Sequence, residues 1–122
     1  MAQYSIGEFS KITGLSIDTL RYYEKEQLVF SHRLDNNRRY YEESDIEWVK
    51  FILRLKETGM SIKNMKEYAR LRYQGDSTID QRMKLLTSQL DLLHDEQDKI
   101  DRHLTFLENK IQIYQKMKQD LS

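Results

Sequence analysis

Residues 4 to 24 read Tyr4-Ser-Ile-Gly-Glu-Phe-Ser-Lys-Ile-Thr-Gly14-Leu-Ser-Ile-Asp-Thr-Leu-Arg-Tyr-Tyr-Glu24. Ser5 and Glu8 have capping-box spacing, so a helix is expected to begin there, and Gly14 supplies the permissive backbone that ends it. Ser16 is the next plausible N-cap. The stretch therefore predicts two short helices joined by a tight turn, which is the helix-turn-helix arrangement.

The second of these helices is predicted to present a polar face. Ile17 and Leu20 form its buried side. The residues left exposed are Ser16, Asp18, Thr19, Arg21, Tyr22 and Lys25. Since a guanidinium can bind guanine or phosphate and a tyrosine hydroxyl can bind phosphate, we interpret this helix as one that enters the major groove of double-stranded DNA. The alternative is a plain helical hairpin with solvated charges.

A basic hairpin is predicted to follow. Residues 30 to 41 read Phe30-Ser-His-Arg-Leu-Asp-Asn-Asn-Arg-Arg-Tyr-Tyr41. The Asp-Asn-Asn run tolerates left-handed backbone, and residues suited to strands flank it, so a two-stranded wing is expected. Arg33, Arg38 and Arg39 make it the most basic part of the chain. Such charge directly after a candidate recognition helix indicates contact with DNA, although solvated surface is the alternative.

These motifs resemble the DNA-binding domain of the MerR family of transcription regulators over residues 4 to 75. The matching segments are Ser5-Ile-Gly-Glu8, Thr13-Gly-Leu-Ser16, Thr19-Leu-Arg-Tyr-Tyr-Glu24, Arg39-Tyr-Tyr41, Asp45-Ile46 and Leu55-Lys-Glu-Thr-Gly-Met-Ser-Ile62. The resemblance implies that Arg21, Tyr22, Tyr23, Arg39 and Lys56 contact DNA. Ser16 and Thr19 are added because they lie at the exposed start of the second helix. Arg33, Arg38 and Tyr40 are added as residues of the wing.

Two further helices are expected between the wing and the tail. Ser44 and Glu47 have capping-box spacing and begin the first, which ends near Gly59. Ser61 caps the second. These helices form a platform linking the DNA-binding head to the tail. Thr78 with Gln81 offers a fresh capping box for the tail itself.

The tail carries an uninterrupted heptad pattern without Gly or Pro. The predicted dimerisation residues on its seam are Leu86, Leu90, Leu93, Ile100, Leu104, Leu107, Ile111 and Tyr114. A helix over residues 79 to 121 would span about 65 Å at 1.5 Å per residue, so its seam requires a second copy. The pattern predicts a homodimer through a coiled coil. The heptads leave the orientation open, whereas the resemblance implies an antiparallel pair.

Length and composition fit one small domain with a long appendage. The chain has 122 residues, of which 33% are charged, and its net charge is zero. We expect a mostly α-helical protein, with a winged helix-turn-helix head at 1–75 and a coiled-coil dimerisation helix at 76–122. The N-terminus lacks a signal-peptide pattern and no apolar run reaches membrane-spanning length, so no membrane partner and a cytoplasmic location are expected.

The resemblance implies a mechanism at a promoter. A two-fold dimer with two recognition helices should bind an inverted repeat. In the family, the activated dimer bends and untwists an overlong promoter spacer so that RNA polymerase can engage it. Two other functions are considered: a winged-helix architectural or excision factor, which normally lacks such a tail, and a coiled-coil adaptor that does not bind DNA.

The signal sensed by the protein has no clear sequence correlate. Cysteine is absent, which excludes thiolate metal sites, and some aldehyde-responsive relatives have a cysteine where this chain has Arg54. His94 and His103 are nine residues apart and do not converge on one face of a helix. No cofactor, metal or catalytic set is expected, so an enzyme is not predicted. Trp48, Tyr68 and Tyr73 form a hypothetical pocket for an unknown flat effector, with ordinary core packing as the alternative.

Overall fold

The structure is a computed structural model that describes residues 2–122. The first helix, α1, spans Ile6–Thr13, and the second, α2, spans Ile17–Lys25. Ser5 and Glu8 form the predicted capping box, and hydrogen bonds from Ser5 hold the pKa of the Glu8 carboxyl below its usual value. Gly14 ends α1 in the left-handed conformation, with φ of 76°. The predicted helix-turn-helix is therefore confirmed.

The wing is a two-stranded antiparallel sheet. Strand β1 spans His32–Arg33 and strand β2 spans Arg39–Tyr40. Asn37 has a positive φ of 65° in the connecting turn, as the composition of the turn predicted. Directly after β2, Tyr41 exchanges two backbone hydrogen bonds of 2.8 Å with Tyr4, which ties the base of the wing to the start of the chain.

The platform consists of α3 at Glu43–Glu57 and α4 at Ile62–Gln74. The prediction that Ser44 and Glu47 cap α3 was wrong. Glu42 is the N-cap residue, and its N–H donates to the Asp45 carboxylate at 2.7 Å. Asp45 is buried, so it serves both as cap and as a polar group of the core. Ser61 caps α4 as predicted.

The core of the head lies between these helices and the base of the wing. Phe9 stacks on Tyr41 with ring centroids 4.2 Å apart. Trp48 is 3% exposed, and its indole N–H donates to the backbone carbonyl of Leu28 at 2.7 Å. This bond fixes α3 against the chain that leaves α2. The other buried apolar residues include Leu20, Tyr23, Val29, Ile46, Val49, Ile52, Leu55, Met60, Met65, Tyr68, Ala69 and Leu71.

Replacing Trp48 with Phe is expected to lower the free energy of unfolding by about 1–3 kcal/mol. The substitution removes the indole donor and leaves the buried Leu28 carbonyl without its partner. Phe51→Leu is the matched control, because Phe51 belongs to the same ring cluster but is 37% exposed. Urea unfolding at equal protein concentration measures both variants. Equal losses would show that ring packing, and not the hydrogen bond, makes the contribution.

The last helix, α5, spans Ile79–Asp120 after a short 3₁₀ turn at Asp76–Thr78. The predicted N-terminal capping box of Thr78 and Gln81 was wrong. The Thr78 hydroxyl instead reaches back to the carbonyl oxygens of Leu71 at 2.6 Å and Gly75 at 2.8 Å. It also accepts a hydrogen bond of 3.1 Å from Nε of Arg82. Thr78 therefore joins the end of α4 to the start of α5.

Packing divides the chain into two compact units, Met1–Leu85 and Leu86–Ser122. The functional boundary at residue 75 stays a prediction. Among the described residues of α5, none is buried in the single chain. A mostly helical protein with a winged helix-turn-helix head and a long C-terminal helix is confirmed. Over residues 2–122, no helix is both long and apolar enough to cross a membrane.

Candidate DNA-binding surface

Helix α2 presents different side chains to the core and to solvent. Leu20 and Tyr23 are buried, whereas Arg21 is exposed and Tyr22 is 49% exposed. The spacing of three between Leu20 and Tyr23 places both on the same face of the helix. Of the two adjacent tyrosines, Tyr22 is therefore the one available to a partner. Because Tyr23 is buried, only the small exposed part of its side chain is available for the predicted contact with DNA.

The hydroxyl groups at the start of α2 are engaged within the helix cap. The Ser16 hydroxyl accepts from the backbone N–H of Thr19 at 3.0 Å and donates to the Thr19 hydroxyl at 2.8 Å. Ser16 is exposed and Thr19 is half-buried. Both lie where the sequence predicted, but their first structural role is to begin the helix. Their contacts with DNA remain predictions.

Lys56 approaches α2 from the last turn of α3. Tyr22, Tyr23 and Lys56 line one depression of about 110 Å³, together with apolar side chains of the core. Lys56 is exposed, and within residues 2–122 its ammonium group has no ion-pair partner. The structure therefore brings Lys56 next to the adjacent pair Tyr22 and Tyr23, which are far from it in the sequence. The phosphate contact of Lys56 stays a prediction, and the exposure of its side chain is compatible with it.

The arginines of the wing differ in their availability. One guanidinium nitrogen of Arg33 donates to the backbone carbonyl of Asn37 at 2.9 Å, which stiffens the turn. Arg38 is exposed and its side chain has no hydrogen-bond partner among the residues that the structure describes. Tyr40 is half-buried and stacks on His32 with ring centroids 5.1 Å apart. Arg38 is thus the wing cation best placed to bind a phosphate.

Arg39 links the wing to the recognition helix. Its Nε lies 3.1 Å from Glu24 Oε2, and both side chains are largely covered. The Ser31 hydroxyl donates to the other Glu24 oxygen at 2.8 Å. The contact between Arg39 Nε and Glu24 Oε2 is an ion pair without hydrogen-bond geometry, and together with the bond from Ser31 it holds the wing close to the end of α2. Sequence reasoning included Glu24 in the motif but missed this anchoring role, and it treated Arg39 as a DNA contact only.

A second link connects the wing to α3. His32 Nε2 lies 3.2 Å from Asp45 Oδ2, the same oxygen that accepts from the Glu42 backbone. Tyr41, at the base of the wing, is fully buried, and burial raises the pKa of its phenol. The signal for these contacts was weak in the sequence, since His32 and Asp45 are thirteen residues apart. The contact of His32 with Asp45, together with that of Arg39 with Glu24, fixes the position of the wing relative to α3 and α2.

The proposed aromatic pocket is divided in the structure. Trp48 and Tyr68 stack at 5.9 Å and line a depression of about 420 Å³, but Tyr73 does not line it. Tyr73 packs edge-on against Phe30 at 4.2 Å, and burial raises the pKa of its phenol. The Arg72 guanidinium lies 4.5 Å from the Trp48 ring centroid and 5.6 Å from that of Tyr73. The three rings thus form two separate surfaces with an arginine between them.

Side chains suited to a metal are dispersed. Within residues 2–122, no three His, Cys, Asp or Glu side chains are grouped so that they could hold a metal ion. His94 and His103 are both exposed on α5. The exposed side chains of Arg21, Tyr22, Arg38 and Lys56 offer donors to an anionic partner instead.

Two family models match the chain. The one described as MerR HTH family regulatory protein matches residues 4–71, and the one described as MerR, DNA binding matches residues 46–102. The chain is similar to an uncharacterised HTH-type transcriptional regulator of Haemophilus influenzae, with 35% identity over 117 residues. The alignment covers 94% of this chain and 86% of that protein.

Solved structures give the same result. The chain resembles HiNmlR, described as a MerR family regulator lacking the sensor domain and bound to promoter DNA, with a TM-score of 0.72 and 33% identity. The match covers 96% of this chain and 94% of that one. A MerR family transcriptional regulator from Bacillus thuringiensis matches with a TM-score of 0.68 and 32% identity, covering 90% and 97% of the two chains.

Proposed function

Because the chain belongs to the MerR family of helix-turn-helix transcription regulators, we propose that it binds an inverted repeat within a promoter as a homodimer. The family resemblance predicted from the motifs is confirmed, and the protein is a DNA-binding transcription regulator and not an enzyme. This assignment removes the adaptor that does not bind DNA from the alternatives. The likeness of nearly the whole chain to a regulator bound to promoter DNA is the observation that carries the proposal.

Dimerisation is supported by the apolar seam of α5. Seven of its eight predicted members, all except Leu86, have exposed fractions between 37% at Leu93 and 57% at Tyr114. Burying an aliphatic side chain of this size contributes roughly 1.5–3 kcal/mol before entropy is subtracted. A heptad seam of this length is therefore matched to a second copy of itself. The antiparallel orientation comes from the family resemblance.

Deformation of the promoter spacer forms part of the proposal. Bending a site of 20–30 base pairs costs about 1–6 kcal/mol, and contacts with phosphates must offset this cost. Arg38 on the wing and Lys56 on α3 are exposed cations suited to that task. In this proposal the distorted promoter is then engaged by RNA polymerase. An architectural or excision factor with the same head would not need the α5 seam.

Selection of bound duplexes from random DNA tests the proposed function. The full chain is expected to enrich an inverted repeat whose half-sites lie one or more helical turns apart, and to bind it with one dimer per duplex. Sedimentation at micromolar concentration reports the mass of the free protein and of the complex. Enrichment of a single unrepeated site by a monomer would contradict the proposal.

The salt dependence of operator affinity provides a second measurement. Arg38→Ala is expected to weaken binding to all duplexes alike and to reduce the slope of log affinity against log salt by about 1 for each half-site. Asp35→Ala, in the same turn, removes a charge of the opposite sign and is the control. Fluorescence anisotropy at several KCl concentrations gives the slopes. An unchanged slope for Arg38→Ala would place this cation away from the phosphates.

A further inference from the structure

An exposed carboxylate lies on the face of α2 that is proposed to meet DNA. Asp18 is in the first turn of the helix, and its side chain is 96% exposed. Its only partner within residues 2–122 is Arg21, one turn further along, at 3.9 Å and with a side chain 60% exposed. A contact this long and this exposed contributes little stability. The carboxylate oxygens of Asp18 are therefore available to accept hydrogen bonds from a partner.

The neighbouring hydroxyl groups on α2 are less available for hydrogen bonds with a partner. The hydroxyls of Ser16 and Thr19 bond to each other and to the helix cap. Thus, among the polar side chains in the first two turns of α2, the pair of Asp18 and Arg21 has the most free acceptors and donors. The first offers only acceptors when ionised, and the second offers only donors.

A carboxylate facing DNA is repelled by phosphates and needs a donor on a base edge. In the major groove, donors are the N4 amine of cytosine and the N6 amine of adenine. Adenine places the N7 acceptor beside its amine, and this lone pair would oppose a carboxylate. The cytosine ring has no acceptor beside its amine on the major-groove edge, where C5–H lies, and the nearest acceptor is O6 of the paired guanine. The chemistry of Asp18 therefore matches cytosine best.

The spacing of the pair matches neighbouring bases. Side chains three residues apart on a helix lie about 5–6 Å apart at their Cβ atoms. Successive base pairs are separated by about 3.4 Å along the DNA axis. The two side chains can therefore reach adjacent base pairs, with Arg21 donating to O6 and N7 of a guanine.

We propose that Asp18 is a specificity-determining residue that accepts a hydrogen bond from a cytosine N4 amine next to a guanine read by Arg21. This inference rests on the proposed function, since it requires α2 to enter the major groove. A different role for Asp18 is to complement the helix dipole at the N-terminus of α2. That role would affect folding and would lower the affinity for every DNA sequence alike.

Selection from random duplexes with the wild-type chain and Asp18→Asn separates these roles. The wild type is expected to enrich cytosine at one half-site position beside an enriched guanine. Asp18→Asn is expected to lose the preference for cytosine, which the wild type favours by about tenfold or more, and to favour adenine, because an amide can bind N6 and N7 of that base together. Asp18→Glu, which keeps the carboxylate, is expected to retain cytosine with weaker discrimination.

Asp80→Asn is the matched control, because Asp80 is also an exposed aspartate in the first turn of a helix, α5. It is expected to select the wild-type sequence. Identical selected sequences for the wild type and Asp18→Asn would overturn the proposal, as would equal weakening on all duplexes. Failure of the proposed function is a separate result, in which the wild type itself enriches no inverted repeat. Circular dichroism verifies that each variant keeps its helical content.

Discussion

Replacing Ile100 and Leu104 with Asp is expected to convert the protein to a monomer and to lower its affinity for an inverted repeat by about 100-fold or more. Both side chains are about half exposed in the single chain, at 56% and 49%. In the proposed dimer, each protomer buries both of them in the seam. Four carboxylates in that seam would lose the apolar burial of about 1.5–3 kcal/mol per side chain and would require desolvation of charge.

The loss of DNA affinity follows from the loss of the second head. Two linked heads bind two half-sites with an effective concentration set by the dimer, whereas a free monomer binds each half-site separately. Affinity for a single half-site is therefore expected to change little in the same variant. Sedimentation velocity at micromolar concentration and anisotropy with full and half operators measure the two effects.

A matched control adds the same charges away from the seam. Ser88→Asp with Asn109→Asp places two carboxylates per chain at heptad positions opposite the seam. This variant is expected to remain dimeric and to bind the inverted repeat within a few-fold of the wild type. If the seam variant stayed dimeric with unchanged operator affinity, α5 would not be the dimerisation element.

Local capping signals made most of the head predictable. Ser5, Gly14, Ser16 and Ser61 each act through neighbours within a few residues, and the structure uses all four as expected. The turn at Asn37 was predictable for the same reason. Such signals depend on local backbone geometry, which is encoded by the adjacent sequence.

Contacts between distant segments set the features that the sequence did not reveal. The N-cap of α3 is Glu42 and not Ser44, and Asp45, which accepts from the Glu42 N–H, is buried and also contacts His32 of the wing. Thr78 bonds to Leu71 instead of capping α5 because it is enclosed at the junction with α4. His32 and Leu71 both lie outside the few residues that a capping motif covers.

Helical periodicity along α2 also predicts the burial of Tyr23. Tyr23 lies three residues after Leu20, so the same helical spacing that identified the buried face could have placed it in the core. The ion pair of Arg39 with Glu24 needed the folded wing, since the two residues meet only when the hairpin returns to the helix. The DNA contacts of Tyr23 and Arg39 stay predictions. A substitution of Arg21 tests most directly whether α2 contacts DNA.

Replacing Arg21 with Ala is expected to lower the affinity for the selected inverted repeat by on the order of 100-fold or more. A bidentate arginine contact with guanine contributes about 1–3 kcal/mol of base discrimination, and a dimer contains two such contacts. The side chain is exposed and its partner Asp18 holds it only loosely, so the fold should be unaffected. Anisotropy with the operator and with a scrambled duplex measures specific and non-specific affinity.

Arg21→Lys and Arg102→Ala complete the test. Lysine keeps the charge but lacks the planar fork, so Arg21→Lys should restore much of the affinity for scrambled DNA and little of the preference for the operator. Arg102 is an exposed arginine on α5, on the side opposite the seam, and its removal should leave both affinities unchanged. Full recovery by lysine would mean that residue 21 contacts phosphate and reads no base. An Arg21→Ala variant with wild-type operator affinity would remove α2 from the DNA-binding surface altogether.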